Sequence, residues 1–100
     1  MRARIRWLTR VDMAILEYLD GHKLSTFEQP PSAIAANIET SSGHVRRRVR
    51  TLAAANLLER TDDTAGYYRI TDLGRRYLRG ELTEDERETL REFDPDDTGK

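Results

Sequence analysis

The sequence predicts one small, mainly α-helical domain carrying a single β-hairpin. Three observations lead there. The chain has 100 residues and no cysteine, and a length near the ~100–150 residue mode for domains allows one core without disulfide staples. Apolar residues recur at helical spacing between capping residues along most of the chain, the pattern of amphipathic helices. Two short runs rich in Leu, Thr, Tyr and Ile bracket the turn cluster DDTAG, which reads as a hairpin.

The first helix is expected to start after Thr9. Thr9 and Asp12 have the spacing of a capping box, and Leu8 and Met13 that of a hydrophobic staple. Val11, Ala14, Ile15, Tyr18 and Leu19 form its stripe, and Gly21 stops it. Trp7 precedes the cap and is expected to pack onto the domain. Residues 21–31 form a long connection in which Leu24 and Phe27 can pin the chain to the core. Pro30 and Pro31 end that connection, because proline suits the first turn of a helix and bars the helix before it. Ile34, Ala35 and Ile38 then share one face of a short second helix. Thr40, Ser41 and Ser42 are all able to cap, so the chain turns and starts again.

The third helix, read as residues 42–56, is the most informative. Val45, Val49, Leu52 and Asn56 fall at i, i+4, i+7 and i+11. Taking the valines and Leu52 as the core seam, Arg47 points away from it, flanked by Gly43, Arg50, Thr51 and Ala54. His44, Arg46 and Arg48 lie at the sides. A narrow apolar seam thus faces a broad cationic surface, with small residues at its N-terminal end.

Residues 57–61 and 67–71 are the expected strands, with Gly66 closing the loop between them. Thr71 or Asp72 caps a fourth helix holding Leu73, Tyr77 and Leu78, which Gly80 ends. Because strand residues alternate faces, one of Tyr67 and Tyr68 belongs to the core; Tyr77 is expected there too. Thr83 and Glu86 form a regular capping box for a last, mostly charged helix, and residues 94–100 are expected to be disordered. The expected organisation is a domain over residues 1–80, an acidic C-terminal helix over 81–93 and a tail over 94–100.

Net charge is −1, but its distribution is uneven. Residues 1–80 carry fourteen cations against nine acids, a balance of +5; residues 81–100 carry three against nine, a balance of −6. A basic body with an acidic end suits a polyanion-binding domain followed by a solvating or partner-facing segment. The group Arg75, Arg76 and Arg79 can contact a phosphate or pair with the acidic helix; pairing is the preferred reading. His22 and His44 alone cannot complete a zinc site, so no metal or other cofactor is expected. No apolar run nears the ~20 residues of a membrane span, and the charged N-terminus lacks the apolar stretch of a signal peptide. A cytoplasmic protein without membrane contact is expected. No phosphate-cradling glycine loop, H-E-x-x-H motif or nucleophile with an evident base is present, so the chain does not read as an enzyme. Nothing in the sequence points to a small-molecule ligand.

Two short helices around a tight Thr/Ser turn, the second cationic and followed by a hairpin, form a winged helix-turn-helix pattern. The segments WLTRVDMAILEYL, PSAIAANI, GHVRRRVRTLAAANLLER and YYRITDLGRRYLRGEL resemble the winged helix-turn-helix transcriptional regulators of archaea, close to the phage-repressor-like proteins of halophilic archaea. The resemblance covers most of residues 7–82. It implies a sequence-specific double-stranded-DNA-binding regulator and repressor, acting as a homodimer with the 42–56 helix in the major groove. A recognition helix presents its N-terminal residues to base edges, which selects Ser41, Ser42, Gly43 and His44. Arg47 can bridge a guanine, while Arg46 and Arg50 reach phosphates. Asp62 and Asp63 at the wing tip would repel phosphates, so the flanking Arg60 and Arg69 are the wing candidates. The alternative is a winged helix used as a protein–protein interaction module in a larger assembly, in which the arginines are only a solvated face.

Overall fold

The computed structural model describes residues 1–21, 27–62 and 66–97. The chain runs α1 (Arg10–Asp20), α2 (Pro31–Ile38), α3 (Ser42–Ala54), β1 (Leu58–Asp62), β2 (Tyr67–Ile70), α4 (Asp72–Arg79) and α5 (Glu84–Glu92), with a 3-10 turn at Pro95–Asp97. His22, Leu24, Asp63 and residues 98–100 lie outside the described residues.

Local chemistry sets most helix starts. The Thr9 hydroxyl accepts from the Asp12 backbone N–H, and the Asp12 carboxylate accepts from the Thr9 N–H at 2.8 Å. Thr83 and Glu86 repeat the arrangement at α5. Ser41 caps α3 and Thr71 caps α4, each accepting from a backbone N–H three residues on. Pro31 opens α2 as its first helical residue, where its missing N–H costs no helix bond.

The core is built where these helices meet. Ile15, Leu16 and Leu19 of α1, Ile34 of α2, and Val45, Val49 and Leu52 of α3 are fully buried. Each such side chain contributes about 1.5–3 kcal/mol by leaving water. Leu58, Tyr68 and Ile70 bring the hairpin onto this core, and Tyr77 brings α4. Gly74 allows that last approach: a Cβ there would sit 2.4 Å from the Leu57 carbonyl oxygen and 2.7 Å from Ile70 Cγ1.

Between α2 and α3 the chain reverses in three residues. Glu39 adopts the left-handed conformation, φ 56° and ψ 47°, which costs a side-chain-bearing residue about 1–2 kcal/mol. The reversal is closed by the Thr40 N–H, which donates to the Ala35 carbonyl at 3.1 Å.

The hairpin pairs Leu58 with Ile70, Glu59 with Arg69 and Arg60 with Tyr68, then slips between Arg60 and Asp62. Gln29 forms an isolated antiparallel bridge with Tyr68, each N–H donating to the other's carbonyl at 2.9 Å. The residue before a proline favours extended backbone, so the chain entering α2 is available for this pairing. It ties α2 to the wing.

Two expectations for the third helix need correction. The helix ends at Ala54 rather than residue 56. Asn56 is exposed with φ 67°, so it does not continue the apolar seam; asparagine tolerates the left-handed conformation that stops a helix. Thr51 is not outward-facing: it is 7% exposed, because the buried arc is wider than the sector drawn through Val45, Val49 and Leu52.

The N-terminal residues and α5 fold back on the domain. Ile5 is buried. Arg2 donates to the Leu78 carbonyl at 3.0 Å and pairs with Glu17 at 2.8 Å. Trp7 packs, as expected, and its partner is α5: Nε1 donates to the Leu90 carbonyl at 2.8 Å, and its ring lies 5.0 Å from that of Phe93. That carbonyl lies in the last turn of α5, where helix carbonyls lack partners of their own. The fold is a winged helix-turn-helix with an additional helix docked through Trp7.

Candidate nucleic-acid interface

Helix α3 divides by function across its axis. Its inner face is packed, and its outer face carries Arg46, Arg47 and Arg50, all exposed. None of the three has an ion-pair partner among the described residues. Ser42 is exposed at the N-terminal end and His44 is half-buried. Ser41 is exposed, but its hydroxyl oxygen is engaged as the cap, accepting from the His44 N–H at 3.2 Å. A Cβ on Gly43 would meet nothing within 4 Å. The glycine is therefore not required by packing, and it leaves the start of the helix open to a close neighbour.

Arg48, between these residues, behaves differently. Its Nε and Nη2 donate to the two carboxylate oxygens of Asp12 at 2.8 and 2.7 Å. Asp12 is completely buried. The carboxylate holds the Arg48 guanidinium further into its charged form, raising its pKa. The same Asp12 oxygen that caps α1 accepts from Arg48, so one carboxylate fixes the start of α1 and the orientation of α3. A long contact of 3.4 Å from Arg48 Nη2 to the Trp7 carbonyl extends the link toward α5. Sequence reasoning placed Arg48 on the side of the helix and took Asp12 only as a capping residue. The signal for their pairing was weak: an acid at the third position of an otherwise apolar helix stripe.

The wing candidates separate. Arg60 lines a groove of about 290 Å³ together with Arg46 and Arg50, between the start of α2, helix α3 and the hairpin. Pro30, Pro31, Ser32, Gly66 and Tyr68 complete its walls. No side chain caps the N-terminus of α2, and that end of a helix favours an anion. The groove collects three guanidinium groups from sequence positions that only the fold brings together. Arg69 lies across the hairpin from them, paired with Glu59 at 3.3 Å. Strand alternation sends neighbouring residues to opposite faces, and the register pairs Arg60 with Tyr68 but Arg69 with Glu59.

Two of the three arginines after the wing are partnered, and Arg79 is exposed with no ion-pair partner among the described residues. Arg76 donates to both oxygens of Glu86 at 2.6 and 2.8 Å and to Asp72 at 2.8 Å. The two Arg76 bonds to Glu86, with that from the Thr83 N–H, hold the pKa of the Glu86 carboxyl down to about 2. Arg75 reaches Asp20 at 3.4 Å. Pairing of this group with the acidic helix thus holds for Arg76, while Arg75 pairs with α1. Among the described residues, no helix is long and apolar enough to cross a membrane.

Comparison with known proteins agrees with this architecture. The model of the winged helix-turn-helix phage repressor family matches residues 1–90. A repressor protein of Halobacterium phage phiH is 41% identical over 87 residues, spanning 85% of this chain and 94% of that protein. The crystal structure of the PhiH1 repressor-like protein from Haloarcula marismortui is similar with a TM-score of 0.71 and 32% identity, over 82% of this chain and 89% of that one. Two helices around a three-residue reversal, a hairpin pinned to the second helix and a match spanning nine-tenths of the length lead to one conclusion: the chain belongs to the winged helix-turn-helix phage repressor family.

Proposed function

We propose that the protein is a transcriptional repressor that binds double-stranded DNA sequence-specifically, as a homodimer in the cytoplasm, with α3 in the major groove. The observation that carries this reading is the exposed, unpaired set Arg46, Arg47 and Arg50 on one face of α3. Family membership and the similarity to a phage repressor support it.

The roles follow from position. Arg47 points most directly from the core and bridges O6 and N7 of a guanine, a contact worth ~1–3 kcal/mol of discrimination. Ser42, Gly43 and His44, with Ser41 beneath them, form the close-approach end of the helix. Arg46, Arg50 and Arg60 clamp backbone phosphate in the groove at the start of α2, which fixes register without reading sequence. Arg69 must leave Glu59 to reach DNA, so its share is the smallest. Two copies would read two half-sites about one helical turn apart.

The test is anisotropy titration of a duplex from the gene's own upstream region and of a scrambled duplex, over a salt series. The reading expects tight binding to the first, weak binding to the second and a steep negative salt slope. Arg47→Ala is expected to narrow the gap between the duplexes, and Arg50→Ala to weaken both alike. Equal losses on both duplexes for both variants would remove the assigned roles. Binding to neither duplex, with the fold intact, would turn the reading toward a protein-interaction module.

A further inference from the structure

A second concave site lies at the C-terminal end of α3, beyond its arginines. The C-terminal end of α3, helix α4 and helix α5 enclose a cleft of about 430 Å³, within the ~300–1,000 Å³ range of small-molecule sites. Its floor is apolar, with Ala54, Ala55, Leu73, Leu90 and Phe93. Asn56, Asp85, Glu86 and Thr89 supply the polar wall, and among the described residues no basic one lines it.

The two carboxylates are not equivalent. Glu86 is saturated by both Arg76 bonds and the Thr83 N–H. Asp85 is exposed and has no partner among the described residues. The Asn56 amide and the Thr89 hydroxyl are equally free. An apolar floor calls for an apolar body, and one free carboxylate at the rim calls for a cation beside it. An anion would find repulsion and no compensating donor charge.

From this we propose that the cleft is a binding site for a small molecule with an apolar body and a cationic head, seated on Ala54, Ala55 and Phe93 with its charge at Asp85. Two of its walls touch the functional elements. Ala54 ends α3, the helix that carries the arginine face. Phe93 contacts Trp7, the chain's single tryptophan, whose carbonyl is approached by Arg48. An occupant therefore presses on the end of α3 and on the residue that docks α5.

Trp7 makes the site observable without DNA, so failure here would leave the reading of α3 untouched. Phenethylamine, 2-phenylethanol and phenylacetate form a matched cation, neutral and anion series. Each is titrated against the protein, following Trp7 emission and the methyl shifts of Ala54 and Ala55. The expected result is saturable change with the amine, and binding of phenylacetate weaker by several-fold, up to about tenfold, as exposed charge pairs allow. Asp85→Asn should bring the amine down to the level of the alcohol, and Ala54→Phe should block all three. Both positions are exposed, and unchanged thermal midpoints would establish that the variants are folded. No saturable response to any probe would overturn the proposal. So would equal affinities for all three probes, or responses that both variants leave intact.

Discussion

Helices α3 and α5 are both short and heavily charged, yet they use charge in opposite ways. In α5, Glu84 pairs with Arg87 at 2.7 Å and Glu86 with Arg76 at 2.6 Å, and Leu90 is the buried anchor. Its charges hold a helix with little apolar surface against the domain. In α3, Val45, Val49 and Leu52 already secure the helix. Three of its four arginines then stand in solvent without partners, Arg46 and Arg50 one turn apart. Like charges at i,i+4 cost roughly 0.2–0.5 kcal/mol. A helix that keeps such a pair, when acids elsewhere in the chain are paired to arginines, presents a surface for a polyanion.

The sharpest way to probe that contrast is Arg48, the one α3 arginine that behaves like those near α5. Arg48→Ala would leave the buried Asp12 without its counter-ion, with only the Thr9 N–H as partner, and breaking a buried pair costs about 3–5 kcal/mol. Denaturant melts should show that loss for Arg48→Ala and almost none for Arg47→Ala. Similar stabilities for the two variants would erase the distinction between the inner and outer faces of α3.

A smaller effect is expected at Gly43. Alanine fits the open space there and favours a helix over glycine by up to ~1 kcal/mol. Gly43→Ala should raise the melting midpoint while weakening duplex binding. A variant that gained stability and bound DNA unchanged would move the contact surface away from the start of α3.

The smallest expected effect is the acid response of α5. Glu86 is held at about 2 against an ordinary 4.5, so its stabilising pairing is complete above about pH 4.5 and is lost as the pH falls toward 2. Glu86→Gln should flatten the fall in stability across that window, read through Trp7 emission, and leave stability at neutral pH modestly lower. An unchanged acid slope would mean that α5 is held by Leu90 and Trp7 alone.

The elements and their order were legible in the amino-acid sequence. Capping at Thr9, Ser41, Thr71 and Thr83, the proline at the start of α2, and the apolar periodicity through Val45, Val49 and Leu52 are local signals, because helix starts and faces depend on residues within one or two turns. The charged face of α3 followed from the same periodicity. Which charges are open depends on long-range packing. Arg48 and Asp12 are 36 positions apart, Trp7 and Leu90 are 83 apart, and Arg60 of the hairpin joins Arg46 and Arg50 of α3 in one groove. The inward turn of Thr51 was likewise set by packing against neighbouring elements. Periodicity reports the direction of a side chain from its own helix. It carries no information about what the rest of the chain places in that direction, and that partner decides whether an arginine is a strut or a hand.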